Sequence, residues 1–98
     1  MGKNIKVVKV IFEDEQYGRE YVFAYLKRNK DDVPHESLYV VCRTRYGRQI
    51  GVITDLEVSN AEYLKALSCG LKPCSYARAK DLYKAGYVYE HNTWYLEY

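Results

Sequence analysis

The sequence predicts a small α+β domain: a curled antiparallel sheet or partial barrel over residues 4–58, followed by two short helices and a C-terminal hairpin over residues 59–98. Three observations carry this. Period-two alternation of apolar residues recurs through the first half, which is the signature of strands with one covered face. At Ser59 the pattern switches to helical spacing. The 98 residues, 48% of them hydrophobic, suffice for one modest core without disulfide or metal staples.

Ile5 to Phe12 is rich in Val and Ile and reads as the first strand, which Glu13-Asp14-Glu15-Gln16-Tyr17-Gly18 breaks as a turn. Glu20 to Lys27 alternates Tyr21, Phe23 and Tyr25 with Val22, Ala24 and Leu26. Neither face is strongly polar, so this second strand is expected to be central or covered on both sides. Asn29 to Glu36, with Asp31, Asp32 and Pro34, is a polar loop. Ser37 to Thr44 and Gln49 to Val58 alternate again and read as strands three and four. Between them, Arg45-Tyr46-Gly47-Arg48 offers a glycine for the positive φ of a tight hairpin. Gly51, inside the fourth strand, predicts a bulge or sharp bend of the kind that curls small sheets.

Ser59 and Glu62 are spaced as a capping box, and Tyr63, Leu64 and Leu67 form an apolar stripe ending near Gly70. After Pro73, Ser75 is positioned to cap a second helix through Lys84, with Tyr76, Ala79, Leu82 and Tyr83 on one face and Gly86 as its stop. Tyr87 to Glu90 and Thr93 to Tyr98 form a last hairpin around His91-Asn92.

Composition narrows function mostly by exclusion. The net charge of +2, from 15 basic and 13 acidic residues, does not by itself announce nucleic-acid binding. Its distribution is more informative: carboxylates gather at Glu13, Asp14, Glu15, Glu20, Asp31, Asp32 and Glu36, while Arg43, Arg45 and Arg48 follow with no acid between them. A second basic run, Lys65, Lys72, Arg78, Lys80 and Lys84, is opposed by Asp81. No apolar window is long enough to span a membrane, and the N-terminus lacks an apolar leader core, so a cytoplasmic protein is expected. Three cysteines without an export signal are expected to be reduced. Cys69 and Cys74 form a C-x4-C pair, half of a zinc site that only Cys42 with His35 or His91 would complete, so neither a metal nor another cofactor is expected. His35 and His91 sit in polar loops. No phosphate-binding glycine loop, nucleophile elbow or zinc-protease helix is present, so the chain is expected not to be an enzyme.

Twelve tyrosines against two phenylalanines and one tryptophan favour half-wet packing or a contact surface. On the third strand Tyr39, Arg43 and Arg45 share one side, and the hairpin tip adds Tyr46 and Arg48. Arginine donates in a rigid fork to carboxylates or phosphates, and tyrosine stacks on bases or fills protein pockets. This Tyr/Arg surface is the expected partner site. The C-terminal half supports a second expectation, because a helix, a turn, a helix bearing Arg78, Lys80 and Lys84, and a hairpin resemble a winged-helix arrangement; with Lys72, those basic residues would then contact nucleic acid.

Tyr21-Val22-Phe23 followed by Leu38-Tyr39-Val40-Val41-Cys42-Arg43-Thr44-Arg45-Tyr46-Gly47-Arg48-Gln49-Ile50-Gly51-Val52-Ile53 resembles small phage and prophage accessory proteins with the pattern Y-x-F, then V-V-x-T-x-Y-G-x-x-x-G-x-V. The same stretch is similar to the N-terminal barrel of the primosomal replication-restart helicase, which grips a DNA 3′ end. The resemblance implies an accessory protein of a phage or mobile element that binds and modulates or inhibits a host macromolecule, such as a defence or nucleic-acid-processing enzyme. A host or viral protein is then the first partner expected, and nucleic acid the second. Where the family has a Gly-Asp turn before the third strand, this chain has His35-Glu36-Ser37.

Overall fold

Alternation decides which side of each strand turns inward. The computed structural model describes residues 6–12 and 18–96. In β1 (Lys6–Phe12) the even positions Val8, Val10 and Phe12 are buried, in β2 (Tyr21–Tyr25) Phe23 and Tyr25, in β3 (Tyr39–Thr44) Val40 and Cys42, and in β4 (Gly47–Asp55) Gly51 and Ile53. All of these but Gly51, with Cys74, form one core cluster. Each large apolar member contributes about 1.5–3 kcal/mol by leaving water. The strands close into a barrel in the order β1-β2-β5-β3-β4, where β5 is Pro73–Tyr76.

β5 is the main departure from expectation. The sheet is not confined to residues 4–58, and the second helix does not start at Ser75. Antiparallel β1–β2 and β3–β4 pairs leave β2 and β3 with unpaired edges, and residues 73–76 fill that gap, parallel to β2 and antiparallel to β3. Satisfying both edges outweighs the local preference of a Pro-x-Ser segment for a turn and cap. The second helix is therefore the short α2 (Ala79–Lys84), whose Asp81 carboxylate accepts the Arg78 N–H at 2.9 Å. It follows that the C-terminal half is not a helix-turn-helix with a wing, because a barrel strand separates its two helices.

Gly51 also has a different role from the one expected. The register shift lies opposite Lys9 and Val10, where Thr54 is the extra residue of β4. Gly51 is instead a point of close approach, since a Cβ there would lie 2.4 Å from Val10 Cγ1 and 3.1 Å from the Ile11 carbonyl oxygen. The β3–β4 turn forms as expected over Arg45 and Tyr46, with Gly47 at φ 103°. β2 is shorter than Glu20 to Lys27, and β4 begins and ends earlier than Gln49 to Val58. Ile5, residues 13–17 of the turn expected over 13–18, and residues 97–98 lie outside the described residues.

Helix α1 (Asn60–Ser68) carries the anticipated capping box: Ser59 Oγ accepts the Glu62 N–H at 3.2 Å and Glu62 Oε1 accepts the Ser59 N–H at 3.0 Å. It packs against β2, yet no α1 residue is fully buried, and Leu64 and Leu67 face solvent. α2 and the hairpin β6 (Tyr87–Glu90) and β7 (Thr93–Leu96) fold back on the barrel as expected. Ala77, Leu82 and Tyr87 form a second core with Tyr39, Val41, Ile50, Trp94 and Leu96. His91 and Asn92 both adopt left-handed φ, 53° and 61°, as the mirror-image turn of a two-residue hairpin requires. No helix among the described residues is long and apolar enough to cross a membrane.

Two stability effects follow. Gly51→Ala is expected to cost roughly 1–3 kcal/mol through overpacking, and in a double-mutant cycle with Val10→Ala by chemical denaturation the two losses should be less than additive; strict additivity would rule out the close approach. Ser37, at the corner before β3, has φ 72°. Ser37→Gly should accordingly raise stability by roughly 0.5–1 kcal/mol, and a lower melting temperature would refute this.

Candidate functional site

The β3–β4 tip is built to project. Thr44 Oγ1 accepts the Tyr46 N–H at 3.1 Å and donates to the Gly47 carbonyl at 2.9 Å, which fixes the turn from within. Tyr46 is left 76% exposed, and the Arg45 guanidinium carbon lies 5.1 Å from its ring centroid. Arg43 stands directly opposite Arg48 in the β3–β4 register, and both are exposed. Like charges in that position oppose pairing by roughly 0.2–1 kcal/mol. None of the three arginines ion-pairs with a described residue, the bridges there being Lys9–Glu62 and Arg78–Asp81.

Tyr39 does not belong to this surface. The C-terminal hairpin covers it: its hydroxyl donates to the Trp94 carbonyl at 3.2 Å, and its ring packs edge-on against Tyr87 at 5.4 Å. Tyr39 and Arg43 share the outer side of β3 as expected, but the hairpin reaches only the first of them.

The tip forms one wall of an open groove of about 1120 Å³, and the α1 end with the segment leading into β5 forms the other. Five cations line it: Arg19, Arg43, Arg45, Lys65 and Lys72. Tyr21 and Tyr46 supply partly open rings, Tyr21 being held by Phe12 with centroids 5.5 Å apart. The fold thus brings Lys65 and Lys72 of the second basic run beside the arginines of the first. Arg19 was not anticipated; it sits in an otherwise acidic stretch, and only its position two residues before Tyr21 could have drawn notice.

The two lining carboxylates are already engaged. Glu20 accepts a 2.7 Å hydrogen bond from Thr54. Glu62 pairs with Lys9 at 2.9 Å. That ion pair, with the Ser59 cap bonds, holds the Glu62 carboxyl down at about 2 and raises the Lys9 ammonium. Glu62 therefore fastens the groove wall to β1, and among the described residues no carboxylate forms an ion pair with a groove cation.

The remaining expected residues lie elsewhere. Arg48 is at the tip but outside the groove. Arg78, Lys80 and Lys84 belong to the α2 side, where Arg78 is 3.8 Å from Asp81, and none of them lines the groove. His35 is exposed, its Nδ1 2.9 Å from the Glu36 carbonyl. Cys69 is exposed at the end of α1, whereas Cys74 is buried opposite Cys42 in the barrel, so the C-x4-C pair points two ways. The hydrogen bond with Cys74, and then burial, push the Cys42 thiol far up, which suits a neutral core group. No group of three or more His, Cys, Asp or Glu with metal-ligand geometry occurs among the described residues. No protein-family model, curated protein or solved structure matches this chain.

The pH dependence of the groove wall follows from Glu62. Its folded-state pKa lies below the ordinary 4.5, so its contribution to stability is complete above that value and disappears as pH falls towards 2. The melting-temperature gap between the wild type and Glu62→Gln should be largest at neutral pH and close at about pH 2; a gap constant across that range would contradict the role given to Glu62.

Proposed function

We propose that this protein is a non-enzymatic binding module that takes up an anionic macromolecule in the groove between the β3–β4 tip and α1. The observation that carries this reading is the Arg43/Arg48 pair, which no described carboxylate compensates, with Arg43 beside four further groove cations whose described neighbouring carboxylates are engaged elsewhere. A domain selected for stability alone gains nothing from opposed arginines at a strand end. A module that must present positive charge does gain.

The likeness to phage and prophage accessory proteins gives the biological setting: a phage or mobile-element protein that modulates or inhibits a host macromolecule, with a defence or nucleic-acid-processing enzyme as the partner through an acidic surface. A second reading, direct nucleic-acid binding, is favoured by a specific feature of the groove, the interleaving of its cations with Tyr21 and Tyr46. In either form the protein works in the cytoplasm by occupancy.

Arg43→Glu provides a test with two readouts. Facing Arg48, the new carboxylate should raise stability by about 0.5–1 kcal/mol while weakening retention on immobilised heparin, a generic polyanion. Lys80→Glu, the same change in net charge on α2, is the control. Equal loss of retention in both variants would mean that bulk charge alone attracts polyanions, and the groove would lose its assignment.

A further inference from the structure

Resting on the groove reading above, the identity of the ligand can be narrowed by what the groove combines. Its volume, about 1120 Å³ and open to solvent, exceeds the roughly 300–1,000 Å³ of small-molecule pockets. A segment of a polymer fits such a space better than a metabolite. Its cations call for repeated negative charge. An acidic protein surface supplies that charge but offers planar groups only here and there, whereas an unpaired nucleic-acid strand carries one with every phosphate.

The rings make the distinction. Tyr46 has Arg45 on its ring and remains 76% exposed, so a flat group can still lie against it. Tyr21 is steadied by Phe12 deeper in the groove. In a duplex the bases are stacked on one another and only phosphate and sugar would meet these rings. An unpaired strand can set phosphates on the cations and bases on the rings at once. We infer that the groove binds single-stranded nucleic acid, with phosphates held by Arg19, Arg43, Lys65 and Lys72 and a base stacked on Tyr46.

Fluorescence anisotropy with the full chain tests this, using labelled oligothymidylate and oligouridylate of about twelve nucleotides, a duplex of equal length, and polyglutamate. The single strands should bind at least about tenfold tighter than the duplex. Preference between the deoxy and ribo strands would report whether a sugar hydroxyl is read. Tyr46→Ala should weaken binding about 5- to 100-fold, as loss of one stacked base does, while Tyr46→Phe keeps it. Lys72→Gln should make the log–log salt slope shallower by about 0.7, and Lys80→Gln should leave it unchanged. Tyr46 lies on an exposed turn, and matching melting curves would establish that its variants fold.

Duplex binding as tight as single-strand binding, or a Tyr46→Ala effect under twofold, would overturn the inference. Polyglutamate binding that Arg43→Glu abolishes, without binding of any oligonucleotide, would overturn it too but leave the groove as a site for acidic protein. If neither class of polyanion binds, both readings fall.

Discussion

The four residues of β5 determine both the barrel and the site. Without them β2 and β3 would expose two edges of unpaired amides and carbonyls, each demanding a partner. The bonds that join them are explicit: Ala24 N–H to the Lys72 carbonyl at 3.0 Å, Leu26 N–H to the Cys74 carbonyl at 2.8 Å, and Ala77 N–H to the Tyr39 carbonyl at 3.1 Å. Cys74 then completes the core against Cys42. Because β5 is fixed on both sides, the chain before it, through Leu71 and Lys72, has to run along the groove. The chain after it, from Ala77, has to enter the second core. One short strand thus sends the basic residues of the C-terminal half to two different surfaces.

This explains which parts of the fold were legible. β1 to β4 announce themselves by local alternation, the β3–β4 turn by Gly47, α1 by the Ser59/Glu62 box and the last hairpin by His91-Asn92, all of which act over a few residues. β5 does not, because Pro73 and Ser75 carry local signals for a turn and a helix start; its strand character comes from the edges of β2 and β3, which lie far earlier in the chain. Gly51 was recognisable as special, but whether it relieves a bend or a close approach depends on Val10 across the barrel. The groove was half legible. Arg43, Arg45 and Tyr46 lie together in sequence, whereas Lys72 reaches them only through β5, and Tyr39 leaves them because the terminal hairpin covers it.

Stability is distributed unevenly around the groove. The barrel wall rests on fully buried side chains, but α1 has none and is held by its capping box, its contact with β2 and the Lys9–Glu62 ion pair. An exposed ion pair and a cap contribute little beside a packed core. The α1 wall is therefore held by less buried packing than the barrel wall.

The tyrosines divide by the same logic. Tyr39 and Tyr87 meet edge-on beneath the hairpin, and Trp94 lies between Tyr83 and Tyr89 at 4.9 and 5.0 Å. A two-stranded sheet is marginal by itself; the Tyr39–Tyr87 contact and the second core attach it to the barrel, while the Trp94 contacts tie its strands to each other and to α2. That attachment sets how far the cover reaches along the outer side of β3 and β4, over Tyr39, Val41 and Ile50 but not to Arg43 and Arg48. The abundance of tyrosine is therefore not one signal. Most of the rings described here serve packing at a half-wet boundary, and that boundary ends where it leaves Tyr46 and its arginines uncovered.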